Sequence, residues 1–457
     1  MNQSDSLEKG NTYTDVVMGG DEAELARMAV FTLMVGLSMA EVCSAHPTSG
    51  GPYFWSAMLS KPKDAPVASW ITVCTFGTDY VPTPARTIGI YAAILVSQET
   101  NIQLQPGLIN TFGVHILKYL NNISVGWHAL GTFSLAVAIL AKAPTHQSGS
   151  FVFTTFIDQT GLDGVGWGAR ASHAYVAITG LLMAQYTLTG FDASAHMCEE
   201  TSNAAMAGSV GIVTAIGMSS LLGFFLLLAV LFSIQDVTGT INSATGQPIA
   251  QVFLDTVGEN GAIVLMTIVI GAMYFCGTFS VTSNSRMMYA FARDGAIPQF
   301  FHKVDEKRQS PIRTVWLACT LSFLLGLPSL GSAVAFSAAT SIATIGLYIS
   351  YGIPIALRVI YRKDFVRGPF HLGKLSYPIA FMSVAWIGFI SIAFMLPTIN
   401  PVNSQTLNYA VVAVGIVIFY SVGFWAFIGP IRQIQADPVE SSPADSSPAD
   451  ASEDKLS

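Results

Sequence analysis

Residues 375 to 431 form 57 consecutive positions without one Asp, Glu, Lys or Arg, and residues 314 to 357 form a second uncharged run of 44. Crossing about 30 Å of hydrocarbon takes about 20 helical residues. Each run is therefore long enough for two crossings and must fold back, the longer at Pro397 to Thr406 and the other near Pro328 to Gly331. Four shorter uncharged stretches, 119 to 141, 171 to 191, 207 to 234 and 260 to 285, hold one helix each, so eight full spans are expected. Only 11% of the residues are charged and 51% are apolar. A soluble domain carries about a quarter charged residues, so lipid is the solvent this chain fits.

Three further apolar stretches are too short to cross alone: Met28 to Ala40, Ala65 to Thr78 and Thr87 to Gln98. The third reads as an interrupted helix, because Gly107 to Leu117 resumes the apolar character after the polar octapeptide Glu99 to Pro106. The first two read as fragments.

Cytoplasmic loops retain Lys and Arg. Residues 293 to 313 carry Arg293, Lys303, Lys307, Arg308 and Arg313, and 358 to 374 carry Arg358, Arg362, Lys363, Arg367 and Lys374, so both loops are read as inside. The connections 328 to 333 and 397 to 406 have no charge, and 235 to 259 has acids but no base. Counting back puts Cys198 to Asn203 inside, 142 to 172 outside, and the Lys118 region inside with Lys61 and Lys63. The tail before Met28 then falls outside, unless an odd number of spans is missing ahead of it.

The formal charge of −7 offers no clustered basic surface for nucleic acid. The five cysteines, Cys43, Cys74, Cys198, Cys276 and Cys319, have no CxxC spacing and read as small buried hydrophobes. Residues 1 to 27 are polar and hold no cleavable signal peptide. The end of the chain, 433 to 457, contains SSPAD in tandem and reads as a disordered acidic cytoplasmic tail. No phosphate loop, zinc-protease or serine-hydrolase motif occurs, so no metal, cofactor or enzyme activity is expected. Any pumping must draw on an ion gradient or on the solute's own gradient.

Broken helices in transporters leave backbone groups free at mid-membrane, where they bind substrate or ions. The candidate break ends the 171 to 191 span, in YTLTGFDASAHMCEET from Tyr186 to Thr201. Gly190 weakens the helix and Phe191 is large enough to cover a site. Asp192 sits directly against the apolar span, where a charge costs about 2.5 to 3.5 kcal/mol on insertion scales. It would face protein or water, taking a proton or holding a cationic ligand, or it would simply cap the next turn. Glu199 and Glu200 follow, read first as a solvated helix end or partners of the basic loops. His196, Cys198 and Glu200 fall short of a metal set, which needs three or four convergent ligands.

His128 and His173 read as satisfied interface histidines. Arg286 and Arg293, leaving the bilayer within SVTSNSRMMYAFARDGAIP, read as snorkelling anchors. The polar run Thr278 to Ser285 reads as interhelical bonding or as the lining of a path. Tyr53, Phe54 and Trp55, followed by Lys61 and Lys63, suggest an amphipathic piece lying at the inner surface.

Several strings together resemble the fungal branch of the amino acid-polyamine-organocation (APC) superfamily, in particular its GABA and choline permease group. They are AEVCSAHPTSGGPYFWSA (Ala40 to Ala57), TGFDASAHMCEET (Thr189 to Thr201), SRMMYAFARDGAIP (Ser285 to Pro298), SPIRTVWLA (Ser310 to Ala318), YGIPIALRV (Tyr351 to Val359) and GPFHLGKLSYPI (Gly368 to Ile379). The likeness covers residues 28 to 432, in family order.

The resemblance implies an all-α polytopic membrane protein of the APC-type five-helix inverted-repeat fold. Both termini would be cytoplasmic, 1 to 27 and 433 to 457 flanking a permease domain of 28 to 432. It implies secondary active, alternating-access transport of an amino acid, GABA or a related amine such as choline or a polyamine, with a proton as the coupling ion. The plasma membrane is preferred to the vacuolar one, and the oligomeric state is unassigned. The substrate would lie on Thr189, Gly190, Phe191, Asp192 and Ala193, with Phe191, Asp192 and Glu199 coupling or gating. The chain departs from the family in lacking the first helix and most of the third, which leaves about ten of twelve transmembrane helices. A transport-dead sensor or assembly partner is the alternative.

Overall fold

The computed structural model describes residues 21–76, 104–326 and 333–419, apart from single positions and short stretches within them. The expected turn at Pro328 to Gly331, the Thr87 to Gln98 stretch and both tails lie largely or wholly outside the described residues, which are helical, with two isolated bridges, Gly161 with Asn400 and Asp305 with Ser310.

The chain runs α1 (Asp21–Ala45), α2 (Pro52–Leu59), α3 (Ala65–Phe76), α4 (Leu104–Phe112), α5 (Val114–Lys142), α6 (His173–Thr187), α7 (Ala193–His196), α8 (Ala204–Ser233), α9 (Pro248–Arg293), α10 (Ile312–Gly326), α11 (Ala333–Ile360) and α12 (Ser376–Ala393), with shorter turns between. Among the described residues, five stretches are long and apolar enough to cross a membrane: Met28–Ala45, Val114–Lys142, Ala204–Ser233, Pro248–Arg293 and Gly373–Ala393. The uncharged run 260 to 285 is the middle of α9, which bends at Gly258, where φ is 74°.

The first helix corrects the reading of Met28 to Ala40 as a fragment. It continues through Glu41 to Ala45, because the Glu41 carboxylate is buried against Arg358 at 2.6 Å and so does not mark a water boundary. A paired charge inside protein is tolerated where a solitary one is not. Far from peripheral, α1 packs against α6, α8, α11 and α12. Small residues permit this: Gly36 lies against Ile216 of α8, and the Ser209 hydroxyl of α8 donates to the Ala40 carbonyl at 2.7 Å.

Two further expectations are corrected by burial. The aromatic strip at α2 does not lie on a surface. Tyr53 and Trp55 are buried, with the Tyr53 hydroxyl donating to Asp294 at 2.7 Å and the Trp55 indole N–H to the His46 carbonyl at 2.8 Å. Polar tips that find partners let these rings enter a core. Arg286 does not snorkel to water either: it is buried and bonds Glu200 at 3.0 Å, while Arg293, with 34% of its side chain exposed, bonds Glu199 at 3.2 Å and Asp294 at 3.1 Å. Of the cysteines, Cys43, Cys198 and Cys319 are buried, whereas Cys276 is exposed.

The base-rich loops gather at one end of the molecule. There the Ser44 hydroxyl accepts from the Phe370 amide, Thr48 and Ser49 meet Glu199, and Lys61 lies over the Tyr361 ring. The connections 142 to 172, 235 to 259 and 397 to 406 meet at the opposite end, where the Gln147 amide donates to the Phe232 carbonyl, Thr145 bonds Gln235 and the Asn400 amide donates to the Thr160 carbonyl. The break between α6 and α7 lies between these ends.

Candidate functional site

The fifteen residues of α6 end at Thr187, and Gly190 then takes φ 84°, a left-handed backbone that L residues rarely adopt. That turn stops the helix inside an apolar sequence. Gly190 is exposed, and among the described residues a Cβ built there would meet nothing within 4 Å, so they leave the space in front of the break open. Phe191 and Asp192 turn inward and are buried, and Ala193 begins the short α7. The Phe191 ring packs on Tyr351 of α11, with centroids 5.1 Å apart.

Asp192 stands at the N-cap position of α7 but makes no capping bond, so the capping alternative is not what the fold uses. Its carboxylate instead accepts the Tyr351 hydroxyl at 2.6 Å on Oδ1 and lies 3.2 Å from His196 Nε2 on Oδ2. His196, one turn on and fully buried, has Nδ1 2.7 Å from the Ser49 carbonyl oxygen. The wall beside the imidazole is Gly51, where an added Cβ would stand 2.8 Å from His196 Cε1.

Toward the opposite end, the Gln185 amide on the last turn of α6 donates to Thr32 of α1 at 3.0 Å, and Tyr348 lies beside Thr32 one turn before Tyr351. A buried polar string from Gln185 to His196 therefore runs past the break.

Glu199 occupies a different place. At the base-rich end its carboxylate accepts the Thr48 hydroxyl at 3.0 Å, the Ser49 amide at 3.1 Å and Arg293 at 3.2 Å. Burial works against its charged form, but the Ser49, Arg293 and Thr48 contacts outweigh that and hold the carboxyl below its ordinary range. It is a clasp between the loop after α1, the loop after α7 and the end of α9.

With this geometry in hand, the comparisons with known proteins are direct. Residues 26–419 match the family described as "Amino acid permease". This chain belongs to the amino acid permease family. The amino-acid permease BAT1 of Arabidopsis thaliana is 41% identical, with 88% of this chain and 85% of the plant protein aligned. The BAT1 homolog of Oryza sativa subsp. japonica is also 41% identical, over 88% of this chain and 84% of its own. The choline transporter of Saccharomyces cerevisiae is 25% identical, over 88% and 74%. These relatives are permeases and transporters, not enzymes, so the permease is an integral, multi-pass carrier of small molecules.

Within the permease, the structure brings Phe191 and Asp192 together with Tyr351 and Ser49, which sequence reasoning passed over, and with His196, which it weighed only as a metal ligand. His196 had a local signal, the four-residue spacing from Asp192 that puts both on one helix face. Tyr351 and Ser49 had none. The two span histidines singled out in the sequence stand apart from this network, half-buried His128 bonding the Ser124 carbonyl at 2.7 Å and exposed His173 lying against Phe156. The polar run of α9 serves interhelical bonding, Thr282 donating to Asn110 at 2.7 Å while the Thr314 hydroxyl reaches the Ser285 carbonyl at 2.9 Å.

Proposed function

We propose that the permease carries an amino acid or a related amine, GABA first among them, across the plasma membrane by alternating access, driven by a proton gradient. The observation that carries this reading is the buried carboxylate of Asp192 at a helix break, bonded by Tyr351 and His196 beside open space. A carboxylate in that setting holds either a proton or the ammonium group of a substrate. The substrate lies along Thr189 to Ala193, Phe191 acts as the gate, and Glu199 belongs to the closure at the base-rich end, which is cytoplasmic in this reading. The yeast relative named as a choline transporter supports an amine among the substrates.

One observation favours a second reading, a transport-dead partner of a full-length permease. The alignment with the Arabidopsis permease is 444 positions long but takes up 88% of this chain, about 402 of 457 residues, so about 42 positions face no residue here. That is about the length of two crossings. It fits an absent first helix and a reduced third.

Uptake of labelled GABA and other amino acids by yeast lacking its own permeases tests both. Uptake that rises at acid pH, and loses that dependence in Asp192→Asn, supports the carrier. No uptake, with a full-length permease recovered on pull-down, supports the partner reading.

A further inference from the structure

The buried chain Ser49–His196–Asp192 is one hydrogen short unless it stores a proton. The Ser49 carbonyl can only accept, so His196 Nδ1 at 2.7 Å must carry a hydrogen. A neutral imidazole has one N–H, and here it is spent on Ser49. Nε2 then presents a lone pair to Asp192 Oδ2 at 3.2 Å, and an ionised carboxylate would set lone pair against lone pair. The contact closes when one more hydrogen is present, on Nε2 or on Oδ2. Both arrangements contain the same number of protons, one more than ionised Asp192 with neutral His196. In either, Tyr351 donates to the other oxygen, Oδ1.

Ser49 also faces the other way. Its N–H donates to Glu199 Oε1, the oxygen that takes the Thr48 hydroxyl and lies 3.2 Å from Arg293. One residue thus joins the buried pair to the clasp at the base-rich end.

We propose that His196 is a coupling residue: the Asp192–His196 pair stores the coupling proton, and its loss is relayed through Ser49 to the Glu199–Arg293 clasp. This rests on the proton-coupled reading above. When the proton leaves for cytoplasmic water, one imidazole N–H remains for two acceptors. The carboxylate is the stronger acceptor. The N–H therefore turns to Asp192, the Ser49 carbonyl loses its donor, and the turn at 46–51 is freed from one side.

Among the described residues, the ionisable groups on the elements around His196 have neighbours of their own, Glu41 of α1 pairing with Arg358 of α11 at 2.6 Å and Tyr348 lying beside Thr32. Tyr351 of α11 bonds Asp192, and Cys43 of α1 lies against Cys198 at 3.8 Å. At the end of α9, Arg286 pairs with Glu200, Arg293 with Glu199 and Asp294, and Asp294 accepts from Tyr53. His46 opens the same turn, and burial disfavours its charged form.

Hydrogen–deuterium exchange of the whole chain in lipid nanodiscs reads the relay directly, because the Ser49 amide is itself part of the clasp. After correction for intrinsic rates, protection of residues 46–51 is expected to fall about tenfold between about pH 5.5 and about pH 8. In His196→Asn, whose amide still reaches Ser49 but cannot titrate, protection should be equal at both pH values. Asp192→Asn, which donates to Nε2 at every pH, should also be flat and serves if the first variant does not fold. His46→Gln should keep the fall. Equal protection at both pH values in the native chain overturns the proposal, as does a fall that persists in the foldable Asp192 or His196 variant or vanishes in His46→Gln. Exchange needs no transport. A chain that takes up substrate but exchanges without pH dependence sinks the relay and leaves the carrier standing, whereas the expected exchange without uptake does the reverse.

Discussion

Glu41 and Arg358, 317 residues apart in the chain, meet at 2.6 Å with 1% and 5% of their side chains exposed. Arg358 also donates to the Ser376 hydroxyl and lies over the Phe365 ring at 4.6 Å, while Glu41 accepts the Leu372 amide at 3.1 Å. The pair ties α1 to α11 and to the loop before α12. Removing one partner strands the other charge away from water, so Arg358→Leu should destabilise the protein by about 3–5 kcal/mol. Glu41→Met combined with Arg358→Leu should recover most of that loss. Thermal unfolding of the three proteins in one detergent decides it: a double variant as unstable as the single would mean that packing, not charge pairing, holds the site.

Glu199 makes the clasp sensitive to acid. Its carboxyl titrates below the ordinary range when folded, so the stabilisation is present above the unfolded carboxyl's range and is lost as pH falls through the lower, folded value. Glu199→Gln should therefore be less stable than the native protein near neutrality and match it at strongly acid pH. Melting curves taken across that range should converge on the acid side. Convergence on the alkaline side would contradict the sign.

The Tyr351 hydroxyl of α11 donates to Asp192 Oδ1 at 2.6 Å and so fixes the carboxyl group at the helix break. Tyr351→Phe keeps the ring on Phe191 and removes the donor. A hydrogen bond is worth about 0.5–1.5 kcal/mol and leaves a buried partner unsatisfied when lost, so uptake kcat/KM in Tyr351→Phe should fall about tenfold. Unchanged uptake in a stably expressed Tyr351→Phe protein would detach this hydroxyl from the site.

Much of the transmembrane layout was legible because lipid excludes unpaired charge, which makes uncharged length a direct ruler. That ruler misread several places where a charge is paired inside the protein, although Glu199, read as a possible partner of the basic loops, does meet Arg293. Glu41 cut α1 short, and Arg286 and Arg293 looked like anchors, because Arg358, Glu200 and Glu199 respectively are far away in sequence. The helix break was legible from Gly190 and Asp192, which are local. The partners that give Asp192 its chemistry were legible only where local too: His196 lies four residues on, whereas Tyr351 arrives from 159 residues away. The turn holding Ser49 precedes the aromatics of α2, and its part in the site is played by backbone atoms, which sequence does not distinguish.

Gly190 offers the sharpest test of where substrate lies. Its φ of 84° means that an alanine there would carry a left-handed backbone, which costs about 1–2 kcal/mol. The methyl itself meets no atom of the described residues within 4 Å, so they add no clash to that cost. Gly190→Ala should therefore fold, with only a modest loss in thermal stability. If substrate occupies the open space in front of the break, the same methyl intrudes on it, and one such group in a pocket is worth about tenfold in affinity. Uptake kinetics should show KM raised about tenfold with the maximal rate largely retained. An unchanged KM in a stably expressed Gly190→Ala protein would move the substrate away from this break, whatever the protonation of Asp192 proved to be.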